Sequence, residues 1–73
     1  AECKSECHFV NGSQRVRFLQ RYSYNRQQLA HFDSDLGYYV ADTELGEADV
    51  KDWNSDEDVI RRKRAQVDAY CRP

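Results

Sequence analysis

Three cysteines, Cys3, Cys7 and Cys71, are the residues here whose chemistry is most constrained by spacing. A bridge from Cys7 to Cys71 would close nearly the whole chain into one loop and contribute about 4 kcal/mol through the unfolded state. Zinc is the competing use of such thiols. Cys3 and Cys7 stand four apart with no second close pair, however, and neither His8 nor His31 repeats at finger spacing. The disulfide reading implies an oxidising compartment. Asn11-Gly12-Ser13 points the same way, being both an N-glycosylation acceptor and an Asn-Gly hairpin turn.

Other constellations fail on spacing. Asp33-Ser34-Asp35 with Glu44 at the twelfth position resembles a calcium loop, but Gly37 comes one place early and Tyr38 occupies the sharp turn. Asp42 and Glu44 could do acid–base work only in a pocket that perturbs them, and the chain offers none of its own. Arg61-Arg62-Lys63-Arg64, wound on a helix, spreads its charge around all sides. No nucleophile, base and orienting group stand at a recognisable spacing, and no glycine loop cradles phosphate. The expectation is a protein that is not an enzyme and carries no metal or cofactor.

The elements holding these residues must fit into 73 residues, one domain at most. Apolar residues make up 40% and charged residues 33%, so the core is small and a covalent staple or partner is needed. A net charge of −2 gives no positive field for nucleic acid. The start AECKSECH lacks a signal-peptide pattern and no stretch is long enough to span a membrane, so a secreted or anchored parent implies an excised piece.

The first half reads as strands. Cys3 to Val10 and Gln14 to Tyr24 form a hairpin around Asn11-Gly12-Ser13. A polar connection over Asn25–Gln28 leads to Leu29–Phe32, and a turn at Asp33–Gly37 precedes Tyr38–Ala41. After Gly46 the pattern changes, with an acidic helix start at Asn54–Asp58 and a basic run from Arg61 to Arg72, the sense the helix dipole favours. The fold class is α+β: four antiparallel strands followed by helix.

On that helix, Ile60, Arg64, Val67 and Cys71 make one stripe suited to packing on the sheet. Val59, Lys63, Gln66 and Tyr70 make the adjoining stripe, mixing apolar, cationic and amide groups as a plain core would not. Cys3, Ser5 and Cys7 share one strand face. If that face lies beneath the helix, Cys7 can reach Cys71. Cys3 and Cys7 cannot bridge each other, since four strand residues span about 13 Å. One thiol is left free or pairs outside the domain.

A family resemblance rests on Glu6-Cys7-His8-Phe9, Asn11-Gly12-Ser13, Arg15-Val16-Arg17-Phe18-Leu19, Arg21-Tyr22, Phe32-Asp33-Ser34-Asp35, Thr43-Glu44-Leu45-Gly46, Trp53-Asn54-Ser55 and Val67-Asp68-Ala69-Tyr70-Cys71-Arg72. In that fixed order, end to end, the chain resembles the β1 domain of a major histocompatibility complex class II beta chain. The resemblance implies a domain over residues 1–73, cut from a parent whose immunoglobulin-like domain, membrane span and tail are absent here. It also implies half of a peptide-binding groove: a four-stranded floor and one long, broken helix as wall, completed by a class II alpha chain. The implied role is antigen presentation to T-cell receptors, on cell-surface and endosomal membranes, with this domain extracellular or lumenal.

Position by position, the resemblance assigns Cys7 and Cys71 to the sheet-to-helix disulfide and Asn11 to the glycosylated turn. It assigns floor positions facing an antigenic peptide to Cys3, Ser5, Phe18, Gln20, Tyr22, Leu29 and Tyr39. Wall contacts to peptide fall on Asp49, Trp53, Val59, Arg62, Lys63, Gln66 and Tyr70, with Trp53 donating to a peptide carbonyl and Asp49 pairing with an alpha-chain arginine. Arg61, Ala65 and Ala69 face the T-cell receptor. The groove face is expected to leave Phe18, Tyr22, Leu29, Tyr39, Val59 and Tyr70 as an apolar patch when unpartnered. Pro73 stands where the family has a histidine, Asp52 replaces an aromatic, and Cys3 is an unusual floor residue. These departures motivate an alternative, a non-classical or decayed homologue with a regulatory or structural role and no peptide display.

Overall fold

The computed structural model describes residues 1–10 and 15–72. Four strands form one antiparallel sheet in sequence order: β1 (Glu2–Phe9), β2 (Val16–Tyr24), β3 (Gln27–Asp33) and β4 (Tyr38–Ala41). The β1–β2 register sets Cys3 opposite Tyr22, Ser5 opposite Gln20 and Cys7 opposite Phe18. The hairpin turn expected at Asn11-Gly12-Ser13, and with it the glycosylation site, lies outside the described residues, as does Pro73.

The β2–β3 connection is tighter than the four-residue link expected. Asn25 and Arg26 take φ of 51° and 65°, the left-handed pair of a two-residue hairpin turn, so Gln27 and Gln28 already belong to β3. At the next turn the Asp33 side chain accepts from Asp35 N–H at 2.9 Å, and its carbonyl accepts from Gly37 N–H at 2.8 Å. Gly37 has φ of 83°, a conformation that favours glycine.

Helix begins earlier than the sequence suggested. After a short 3₁₀ turn at Glu44–Gly46, α1 runs over Glu47–Ser55 and α2 over Glu57–Gln66. Between them Asp56 is extended (φ −96°, ψ 105°), and its side chain accepts from the N–H groups of Asp58 and Val59 at 3.0 and 3.3 Å. The acidic stretch at Asn54–Asp58 is therefore the second helix start, capped by Asp56. Val67–Cys71 widen into a π turn.

All helix lies on one face of the sheet. Val16, Phe18, Phe32, Tyr39, Ile60 and Cys71 are buried between the layers, with Trp53, Val59 and Val67 packed against them. In the stripe expected to pack on the sheet, Ile60 and Cys71 are buried and Val67 half-buried. Arg64 stays mostly exposed but donates from Nε to the Gly37 carbonyl at 3.0 Å. Cys7 and Cys71 form the sheet-to-helix disulfide, with Cα atoms 5.6 Å apart. The opposite face is ionic. Arg17 grips Asp33 through two bonds of 3.1 and 2.5 Å, and Arg21 donates to Glu6 at 2.6 Å. His31 and Gln28 both meet Asp42, at 2.9 and 2.8 Å. The Arg17 guanidinium holds the Asp33 carboxyl below its ordinary value against the opposing effect of burial.

Candidate ligand-binding groove

The sheet face beneath the helices carries Cys3 and Ser5 from β1 and Gln20 and Tyr22 from β2, joined by one hydrogen-bond network. Gln20, 8% exposed, donates from Nε2 to Ser5 Oγ at 3.1 Å. Its Oε1 accepts twice, from Tyr22 OH at 2.6 Å and from Lys63 Nζ at 2.5 Å. The floor amide is thereby satisfied at both ends, as a buried polar group requires. Tyr22 OH also meets Tyr39 OH at 3.4 Å. Burial foremost, and then the bond to Tyr39, pushes the Tyr22 phenol far up, so it remains a neutral donor. Burial pushes Lys63 down, and the neighbouring Arg62 adds to that. Its floor partner is a neutral amide, and among the described residues no carboxylate pairs with the half-buried ammonium.

The wall meets the floor through aromatic rings. Trp53 lies 5.1 Å from Tyr22 and 4.9 Å from Tyr39 between ring centroids, and Tyr70 and Phe18 form a T-shaped pair at 5.8 Å. Val59, Lys63 and Gln66 of the mixed stripe are half-buried, whereas Tyr70 is 56% exposed. Arg62 is exposed; burial pushes the Tyr39 phenol up, and the Arg62 charge opposes that. Asp49 lines a cavity of about 310 Å³ together with Tyr22, Leu29, Gly46 and Trp53. Arg61, Ala65 and Ala69 are exposed on the helix. Cys3 is a free, exposed thiol that stands opposite Tyr22 in the β1–β2 register.

Two expectations about the floor change. Phe18 and Tyr39 lie on the expected face but are 0% and 3% exposed, so the exposed apolar patch does not include them. Phe18 meets Tyr70 and Phe32, and Tyr39 is packed among Tyr22, Phe32 and Trp53. Leu29 does not follow simple alternation either. Tyr22 pairs with Ala30 while Ser23 pairs with Gln28, so Leu29 is the extra residue of a β-bulge. The regular floor positions of β3 are Ala30 and Phe32, both buried, and neither was singled out from sequence. Their period-two spacing was the available signal, masked by a bulge no residue type announces.

Three further positions were missed. Asn54 binds the Tyr39 backbone. Ser34 Oγ accepts from Phe18 N–H at 2.8 Å. Gly46 is held by contact rather than conformation, because a Cβ there would come 2.2 Å from the Leu29 carbonyl oxygen.

A sheet floor and one interrupted helical wall thus meet along a mixed polar and aromatic seam. The family model described as class II histocompatibility antigen, beta domain, matches residues 1–73. The chain is 55% identical over 69 residues to the human HLA class II DRB1 beta chain, covering 94% of this chain and 26% of the relative. It is 56% identical over 68 residues to the mouse H-2 class II E-D beta chain (93% and 26%) and 59% identical over 66 residues to the chicken class II B-L beta chain (90% and 29%). This chain belongs to the class II histocompatibility antigen beta domain family. It spans about a quarter of the length of these relatives. Among the described residues no helix is long and apolar enough to cross a membrane.

Proposed function

We propose that this domain supplies the floor and one wall of a peptide-binding groove whose other half comes from a class II alpha chain, and that it presents antigenic peptides to T-cell receptors. The observation that carries the reading is the seam of Lys63, Gln20, Tyr22 and Ser5, in which a polar network reaches from wall to floor. A ligand laid along it meets side chains selecting for chemistry, while main-chain bonds hold its extended backbone. Trp53, Asp49, Val59, Arg62, Gln66 and Tyr70 complete the peptide-facing wall in this reading, and Arg61, Ala65 and Ala69 form the exposed surface a receptor meets. Residues 1–73 act as the membrane-distal domain of a longer chain, glycosylated at Asn11 and held extracellular or lumenal by parts of the parent outside this sequence.

Co-expression of the complete ectodomain with an alpha chain, followed by acid elution and mass spectrometry, tests this. A nested set of peptides is expected; a purified heterodimer that yields none overturns the reading.

A further inference from the structure

Gln28 and His31 stand three apart on β3, and in a regular strand residues three apart face opposite sides of the sheet. Here both reach one carboxylate on the ionic face. Gln28 Nε2 donates to Asp42 Oδ2 at 2.8 Å, and His31 Nδ1 meets the same oxygen at 2.9 Å and Oδ1 at 3.1 Å. The extra residue between them, Leu29, makes this possible, because a bulge adds one step to the alternation. Asp42 holds that residue through the backbone as well, its N–H donating to the Leu29 carbonyl at 2.8 Å. One residue thus grips the chain before, at and after the bulge.

The consequence lies on the other side of the sheet. Leu29 lines the cavity of about 310 Å³ there, and Tyr22, Ala30 and Trp53 continue its apolar wall. With Ala30 kept opposite Tyr22, a regular strand would turn Leu29 to the ionic face and Gln28 toward the cavity. Resting on the groove reading above, we propose that Asp42, on the face away from the groove, is a positioning residue for this cavity: its grip on Gln28, Leu29 and His31 selects the bulged register and so sets a preference for an aliphatic ligand side chain.

The test uses the complete ectodomain paired with its alpha chain, and synthetic peptides in which one leucine is stepped along an alanine-based frame. Leucine slows dissociation roughly tenfold over alanine wherever it fills an apolar pocket. The variant Leu29→Ala marks the position that reads this cavity. Asp42→Ala is expected to cut the leucine advantage at that position to about twofold, the pocket having lost its apolar wall, and to leave the others unchanged. A merely structural role would lower all positions together. Gln28→Ala with His31→Ala removes the same grip from the other side and is expected to match; it stands in where Asp42→Ala does not assemble. An unchanged advantage at the marked position, an equal fall at every position, or no position marked by Leu29→Ala overturns the inference and leaves the groove reading standing. Failure of the unaltered heterodimer to bind any of the peptides overturns the groove reading, and this inference with it.

Discussion

Asn54 holds both backbone polar groups of Tyr39: its Oδ1 accepts the Tyr39 N–H at 2.8 Å, and its Nδ2 donates to the Tyr39 carbonyl at 3.0 Å. Tyr39 sits on β4, at the sheet edge, where backbone groups pointing away from β3 have no strand to meet. One amide side chain supplies what a fifth strand would have supplied and fastens α1 to the sheet. Asn54→Ala is expected to cost about 2 kcal/mol, the sum of two part-buried bonds, measured by denaturant unfolding of the complete ectodomain. Faster hydrogen exchange at the Tyr39 amide should accompany it. Unchanged stability would show the clamp to be energetically idle.

Gly46 lets the start of the helical segment lie directly on the β3 backbone, so Gly46→Ala forces the two apart. The expected loss is about 2 kcal/mol or more, as for other overpacked sites. The neighbouring cavity beside Asp49 should widen with it, so a peptide side chain seated there should dissociate faster. Thermal unfolding and peptide off-rates check both; a variant identical to the parent contradicts the close approach.

The Cys7–Cys71 bridge encloses a sequence separation of 64. Cys71→Ser is expected to lose about 4 kcal/mol by the loop-entropy relation, comparable to the whole stability of so small a core. Failure of the heterodimer to accumulate, or a fall in Tm exceeding 10 °C, is the expected outcome. Loss of less than about 1 kcal/mol would mean that the helix end is held by packing alone.

Arg17 lowers the Asp33 carboxyl from its ordinary 3.8, the hydrogen bond to the guanidinium being the largest cause. The sign follows from linkage. A carboxyl with a depressed folded-state pKa adds stability above its unfolded value and loses it as pH falls through the folded one. The pair therefore stays intact at mildly acidic pH and releases its contribution only below about 3.8. Asp33→Asn should lower stability at pH 7 and flatten the acid limb of the stability–pH curve. An acid limb of unchanged depth in this variant would assign it to Glu6 and Asp42, which are also held low.

Much of this arrangement was legible from residue types. Strand parity put Cys3, Ser5 and Cys7 on one face, and helical spacing separated Ile60 and Cys71 from the mixed stripe, because burial on one side imposes those periods. Less legible were features set by a single tertiary meeting. The bulge at Leu29 depends on register between two strands. The early start of α1 depends on Gly46 touching β3, and the covering of Phe18 and Tyr39 depends on where the Tyr70 and Trp53 rings come to rest. Asn54 read only as the first residue of an acidic helix start, and only the position of the sheet edge makes it a clamp.

The wall resembles a beam pinned at intervals. Asn54 fixes it to β4, Lys63 to the floor at Gln20, Arg64 to the Gly37 turn and Cys71 to β1. The span between Asn54 and Lys63 contains the extended residue Asp56, where helical hydrogen bonding is interrupted. Load placed on such a beam is not shared evenly: it flexes at the interruption while the pinned parts keep their line. If the groove reading holds, ligands of different bulk are expected to be met by a change of angle at Asp56, with the chemistry gathered around Lys63 keeping its place.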